Sequence, residues 1–172
     1  MKSLKDILYG VGIIAVNGTT DRSINAIHFD SRKVAKNDVF IAIKGSVVDG
    51  HRFIDKALEA GASTIICEEF PQNITREATY VEVQNGNSAL SIMASNYFDN
   101  PSKNLNLVGV TGTNGKTTVS SLLYQLFKKA GYKVGLISTI RIMVDDMEYP
   151  TNLTTPDAIT INKHLALMNQ AG

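Results

Sequence analysis

The stretch that most limits what this chain can become lies between residues 105 and 138. A run of apolar, strand-like residues, Leu105 to Val110, leads into Thr111-Gly112-Thr113-Asn114-Gly115-Lys116-Thr117-Thr118. A strongly amphipathic segment follows, with Val119, Leu122, Leu123, Leu126, Phe127 and Ala130 on one side. Gly131 stands where a helix C-terminal cap is expected, and Lys133 to Ser138 reads as the next strand. Strand, glycine turn, helix and strand in that order predict a βαβ unit with parallel strands. Such a unit commits the chain to an α/β architecture.

The turn inside this unit carries chemistry. Glycines let backbone N–H groups approach an anion without a Cβ in the way. The helix that follows aims its unpaired N–H groups and the positive end of its dipole at the same spot. Gly112, Thr113, Asn114, Gly115, Lys116, Thr117 and Thr118 are therefore the candidate phosphate cradle. Lys116 is the group expected to neutralise β- and γ-phosphate charge, and the Thr117 hydroxyl the expected magnesium ligand. The general pattern G-x-x-x-x-G-K-[ST] is met except at its first glycine, where Val110 stands. ATP or GTP binding follows, and kinase, GTPase, motor and ligase chemistry all stay open.

The first hundred residues alternate in the same way. Ile24 to Phe29, Val39 to Ile43, Ser63 to Cys67 and Tyr80 to Val83 have strand composition. A helix is expected to open at Asp49-Gly50, carry Phe53, Ile54, Ala57 and Leu58 on one face, and end at Gly61. Ala89, Ile92, Met93 and Tyr97 recur at helical spacing. The polar stretch Asp99 to Asn104, broken by Pro101, divides the chain into residues 1–100 and 105–172. In the second part, Ile140 to Tyr149 is expected to form a hairpin around Asp145-Asp146, and Pro156-Asp157 to start a helix carrying Ile161, Leu165 and Met168. A further strand is expected where the sequence stops, so the second unit reads as cut short.

Composition narrows the function classes. Seventeen Lys+Arg against sixteen Asp+Glu leave a formal net charge of +1, which supplies no broad field for a polyanion, so nucleic acid is not an expected partner. Cys67 is the sole cysteine, which excludes an intrachain disulfide and fits a reducing, cytoplasmic compartment. Asp6 interrupts the place where a secretory signal would begin, and no uncharged apolar run approaches the roughly 18 residues that cross a bilayer. His28, His51 and His164 are scattered without ligand spacing, so metal coordination is not expected, and His28, beside Phe29 in an expected strand, reads as a hydrogen-bonded, half-buried side chain. Cys67 reads as core, and Asp145-Asp146-Met147-Glu148 as a solvated hairpin tip. Thr154-Thr155, taken alone, reads as a helix N-cap before Pro156.

The segment Val110 to Thr118 resembles the ATP motif of the Mur ligases and folylpolyglutamate synthetases. Asp30-Ser31-Arg32, Asn37 to Gly45 and Asp49-Gly50-His51 are similar to the N-terminal UDP-binding domain of the Mur ligases. Asp30-Ser31-Arg32 with its serine, Ile137 to Ile140 and Thr154 to Asp157 favour the branch that adds the third amino acid of the peptidoglycan stem over the branch that adds the terminal dipeptide.

The resemblance implies a small mixed-sheet α/β UDP-binding domain followed by the truncated start of a P-loop, parallel-sheet ATPase domain. It implies ATP and Mg2+ as cofactors, and a UDP-muramoyl-dipeptide and an amino acid as substrates, the amino acid being meso-diaminopimelate or L-lysine with the former expected. It implies that Ser31, Ser46, Val47 and Val48 meet the UDP-sugar, that Thr154 and Thr155 hold the muramoyl peptide, and that Lys116 is catalytic. Asp30 and Arg32 pair with each other or with backbone to shape the loop presenting Ser31, or the Arg32 guanidinium offers its donors to a diphosphate. Full-length members are several times longer, so the 172 residues are expected to be a catalytically inert fragment. An unpaired sheet edge is expected to let it self-associate. The rival outside enzymology is a non-catalytic P-loop module whose nucleotide only switches its conformation.

Overall fold

In a computed structural model, which describes residues 1–45, 48–150 and 155–172, the chain divides into two units, Met1–Tyr97 and Phe98–Gly172. The first unit runs β1 (Lys2–Ser3), α1 (Leu4–Ile7), β2 (Ile13–Asn17), β3 (Ser23–Ile24), β4 (Ile27–His28), β5 (Val39–Ile41), α2 (Ile54–Glu59), β6 (Thr64–Cys67), β7 (Thr79–Val83) and α3 (Gly86–Tyr97). Its main sheet has the order β2-β7-β6-β5-β4. The strands β4 to β7 are mutually parallel, and β2 lies antiparallel on β7. The pair β1 and β3 forms a separate two-stranded antiparallel ribbon.

The apolar runs explain this sheet. Phe40, Ile65 and Tyr80 are partners in register across β5, β6 and β7. All three are fully buried against Val34, Ile54, Ala57 and Ala62. Side chains alternate along a strand, so Ile41, Ile66 and Val81, equally buried, point to the opposite face. The short apolar stretches are continuous rather than alternating because both faces of a parallel sheet are covered. The Tyr80 hydroxyl accepts the amide of Thr75 at 3.1 Å, which pins the irregular connection between β6 and β7.

Two expectations for this unit are corrected. The strand read over Ile24 to Phe29 is broken into β3 and β4, because Asn25 turns away to bond the Asn37 carbonyl through its amide and the Lys36 carbonyl through its side chain. The helix read from Asp49-Gly50 begins as a 3-10 turn over Gly50–Phe53 and becomes α-helical only at Ile54. The Asp49 side chain accepts the His51 amide and tightens that turn. The edge strand β2 has no counterpart in the sequence reading, since its residues are mostly exposed.

The second unit contains a 3-10 turn at Pro101–Asn104, α4 (Lys116–Lys129), β8 (Gly135–Ile137), β9 (Ile142–Val144), β10 (Met147–Tyr149) and α5 (Ala158–Ala171). The hairpin around Asp145-Asp146 is present, and β8 joins it in the antiparallel order β10-β9-β8. Asp145 takes φ 49° in the turn. Helix α5 packs over β8 and β9. Its N-cap is Asp157, whose carboxylate accepts the Thr160 amide at 2.9 Å and the Thr160 hydroxyl at 2.8 Å. The capping role read onto Thr154-Thr155 therefore belongs to Asp157.

The parallel βαβ arrangement read from residues 105–138 is not formed among the described residues. Residues 105–110 pair with no described strand, and Leu107 and Val108 are 60% and 69% exposed. A ladder needs a neighbour to satisfy its backbone groups, and β8 has its only described partner in β9. The apolar stripe of α4 is likewise uncovered, and no residue of this helix is buried. Among the described residues no helix is long and apolar enough to cross a membrane.

Candidate functional site

The loop between residues 111 and 116 has the backbone an anion cradle requires. Gly112 takes φ 146° and Gly115 takes φ 77°, both in the region where L side chains are strained. Space around them is open: a Cβ on Gly115 would meet nothing within 4 Å, and one on Gly112 only the Asn114 carbonyl oxygen at 3.6 Å. Gly115 is the N-cap of α4 and supplies no side-chain acceptor. The first-turn amides at Lys116, Thr117 and Thr118 thus have no intrahelical acceptor by position. Lys116 curls back so that Nζ donates to the carbonyl oxygens of Gly112 at 2.5 Å and Thr113 at 3.3 Å. Free helix amides, glycine-permitted backbone and a cation folded into the same loop fit a phosphate group.

The second cluster lies in the first unit, at the carboxyl edge of the parallel strands, where α/β sheets bind ligands. Ser31 follows β4, Lys44 and Gly45 follow β5, Glu68 follows β6 and Gly86 follows β7. Ser31 is only 7% exposed, at the start of the 3-10 turn Ser31–Lys33. Asp30 caps that turn by accepting the Arg32 amide at 3.0 Å, and it also grips the Arg32 guanidinium at 2.9 and 2.8 Å. The Arg32 side chain and its amide hold the Asp30 carboxyl down to about 2. Of the two roles open to Arg32, pairing with Asp30 is the one present.

Val48 stands exposed after β5, the strand next to β4. Lys44 and Asp49 form an isolated antiparallel bridge below it. A cavity of about 240 Å³ opens beside this bridge, with Lys44, Asp49, His51, Glu69, Phe70 and Gln72 among its lining residues. Ser46, Val47 and Thr154 lie outside the described residues. Thr155 is exposed ahead of α5, in the second unit with the loop at residues 111–116. The expected site residues thus fall into one group per unit.

The remaining reactive side chains have structural partners. His28 Nε2 lies 3.3 Å from the buried Asp38 carboxylate, and His164 Nδ1 lies 2.7 Å from the Thr160 carbonyl. Cys67 is fully buried, and burial pushes its thiol up to about 12, which removes it as a nucleophile. Asp145 receives Lys128 and Lys133, each at 2.6 Å, so the hairpin tip is an ion-paired anchor for the far end of α4. Among the described residues no cluster of three or more His, Cys, Asp or Glu could hold a metal. What sequence reading missed is Glu68, which joins His51 to the start of α3.

Comparison with known proteins matches both units. Residues 110–172 match the family model described as the Mur ligase middle domain, and residues 23–98 match that of the Mur ligase family, catalytic domain. A UDP-N-acetylmuramoyl-L-alanyl-D-glutamate--2,6-diaminopimelate ligase from Cytophaga hutchinsonii is 49% identical over 170 residues, which are 98% of this chain and 35% of that protein. A ligase of the same name from Clostridium tetani is 39% identical over 171 residues with the same coverage. The chain spans about a third of the length of these relatives. Among solved structures, a ligase of that name aligns over 99% of this chain and 34% of its own, with TM-score 0.73 and 23% identity, a likeness of fold. The MurF ligase of Thermotoga maritima in complex with ADP aligns over 67% of this chain and 25% of its own, with TM-score 0.51 and 35% identity.

Proposed function

This chain belongs to the Mur ligase family, and on that premise we propose that the whole protein is an ATP-dependent ligase of cytoplasmic peptidoglycan synthesis. It joins 2,6-diaminopimelate to UDP-N-acetylmuramoyl-L-alanyl-D-glutamate. The observation that carries the proposal is the likeness along both units to ligases of that name, 49% identical in one case. The phosphate-fitting loop at Gly112 to Thr118 supports its ATP dependence, as does the ADP held by the Thermotoga relative.

A carboxylate resists amines because its charge repels them and its oxide leaves poorly. ATP removes both obstacles by supplying a phosphoryl group that turns the carboxylate into an acyl phosphate. The residues of this chain then have positioning and screening to do. The amides of Gly112, Thr113, Asn114, Gly115 and Thr118 would hold phosphate oxygens. Lys116 would set its ammonium against the β- and γ-phosphates, and the Thr117 hydroxyl would be a ligand for Mg2+. Thr154 and Thr155 would orient the muramoyl peptide. Ser31, Ser46, Val47 and Val48 would hold the UDP end at the sheet edge.

The 172 residues by themselves are proposed to bind nucleotide and UDP-sugar without forming product. They are also proposed to self-associate through the uncovered stripe of α4 and residues 105–110, and a strictly monomeric species in concentrated light scattering would count against that. The deciding assay gives the whole protein UDP-muramoyl-dipeptide, ATP and single diamino acids, and reads products by mass. A diaminopimelate tripeptide is expected. Product with L-lysine instead would change the amino acid, and product only from a tripeptide and a dipeptide would move the protein to the terminal branch. No amide at all would sink the proposal.

A further inference from the structure

We infer that His51 is a positioning residue, which locks the described residues Lys44, Gly45, Val48 and Asp49 against β6, at the sheet edge that receives the uridylated sugar. The inference rests on the UDP-binding role proposed above for this edge of the sheet.

The loop is closed by backbone at its base. Gly45 N–H donates to the Val48 carbonyl at 3.1 Å, and Gly50 N–H to the Ile43 carbonyl at 2.9 Å. A Cβ on Gly50 would stand 2.7 Å from both the nitrogen and the oxygen of Ile43, so the two arms are as near as backbone permits. These bonds hold the arms to each other; the first arm leaves β5 with the Ala42 amide on the Ile66 carbonyl at 2.8 Å, and His51 ties the second arm to the end of β6. Its Nδ1 lies 2.7 Å from Asp49 Oδ1, and its Nε2 lies 2.9 Å from the Glu68 amide nitrogen. A backbone amide only donates, so Nε2 is the unprotonated acceptor and Nδ1–H donates to Asp49. Both ring nitrogens are engaged, which leaves neither as a metal ligand.

The chain of bonds continues inward. The residue whose amide His51 receives, Glu68, takes the Gly86 amide on Oε1 at 2.8 Å, at the start of α3. One planar, half-buried ring therefore ties the connection after β5 to the end of β6 and, through Glu68, to the helix after β7. An imidazole suits this task because it has no internal torsion between its two nitrogens, so both bonds are lost or kept together. Lys44 and Val48, on the loop's arms, inherit their place from it.

The test uses the purified 172-residue chain and its His51→Ala, His51→Gln and His51→Phe variants. Amide exchange is read at Gly45 and Gly50, with Ile65 and Ile66 of β6 as controls of the fold. Titrations with UDP-N-acetylmuramoyl-L-alanyl-D-glutamate and with ATP run beside it. In His51→Ala the Gly45 and Gly50 amides should exchange about tenfold faster with β6 unchanged, and UDP-sugar affinity should fall about tenfold with ATP affinity intact. His51→Gln, able to accept the Glu68 amide, should recover part of both. His51→Phe keeps ring volume without either nitrogen, and it decides the question should the alanine variant not fold. Equal loop protection in wild type and variants would overturn the lock, and equal sugar affinity would overturn its role in binding. A wild-type chain that binds ATP but no UDP-sugar would instead overturn the functional reading, while exchange at Gly45 and Gly50 still decides the lock.

Discussion

Lys116 Nζ sits 2.5 Å from the carbonyl oxygen of Gly112, four residues before it, so the lysine that opens α4 also closes the loop leading into it. Both partners belong to one short segment, and neither depends on packing from elsewhere in the chain. The loop is thus shaped in advance by the cation that is expected to meet the phosphates, which lowers the ordering cost of binding.

Replacing Lys116 by Met should lower ATP affinity by roughly 10- to 100-fold, the worth of about 1.5–3 kcal/mol for hydrogen bonds to a charged group. UDP-sugar affinity should be unchanged. Isothermal titration of both ligands reads this, and an ATP affinity equal to wild type would remove Lys116 from the site.

Asp30 should make the first unit acid-sensitive in a defined window. Its carboxyl lies near 2 in the fold because Arg32 donates to it, against about 4 in an unfolded chain. The lowered value means the contribution is complete above pH 4 and fades as pH falls from about 4 to 2. Asp30→Asn should therefore lower the melting temperature at pH 7 and cease to matter near pH 2. A gap between variant and wild type that persists at pH 2 would show the effect is not this ion pair.

The anchor at the far end of α4 should respond to salt. Asp145 is held below the ordinary carboxylate range by hydrogen bonds from Lys128 and Lys133. The Tyr124 hydroxyl also donates to its carbonyl at 2.5 Å. Asp145→Asn should destabilise the second unit more at low ionic strength than at about 1 M, where exposed charges are screened. Tyr124→Phe, which removes a neutral hydrogen bond worth about 1 kcal/mol, should show no such dependence. Melting curves at the two salts separate the cases, and equal salt responses would refute the assignment.

Gly135 should tolerate alanine only if Met168 gives way. A Cβ there would stand 2.3 Å from the Met168 sulfur and 2.7 Å from its Cγ. Gly135→Ala should cost about 1–3 kcal/mol as overpacking, and adding Met168→Ala should return part of it. A double-mutant cycle with no coupling would show that α5 does not rest on β8 in this way.

What the sequence made legible was set by local chemistry. The buried strands β5, β6 and β7 announce themselves because both faces are covered and most of their residues are apolar, with Thr64, Thr79 and Glu82 as the exceptions. The candidate phosphate loop is readable because glycine, lysine and threonine each have an expected job within a few residues. Asn25 was misread because its strand is interrupted by bonds to Lys36 and Asn37, partners a dozen residues away. The βαβ pattern at 105–138 states which strands would suit a parallel sheet, but pairing depends on neighbours, and β8 takes its partner from β9. The Asp157 cap lay two residues beyond the threonines chosen for it. Glu68 was invisible, since its partners His51 and Gly86 meet it only once three connections converge on one edge of the sheet.

The burial of Cys67 between β5 and β7 has a practical consequence. With its single thiol sealed inside the sheet and held protonated, the native chain should be indifferent to mild oxidants and to maleimides. A cysteine introduced at exposed Val48 would then be the sole attachment point for a fluorophore, and the edge of the sheet could report its own occupancy without background from the rest of the molecule.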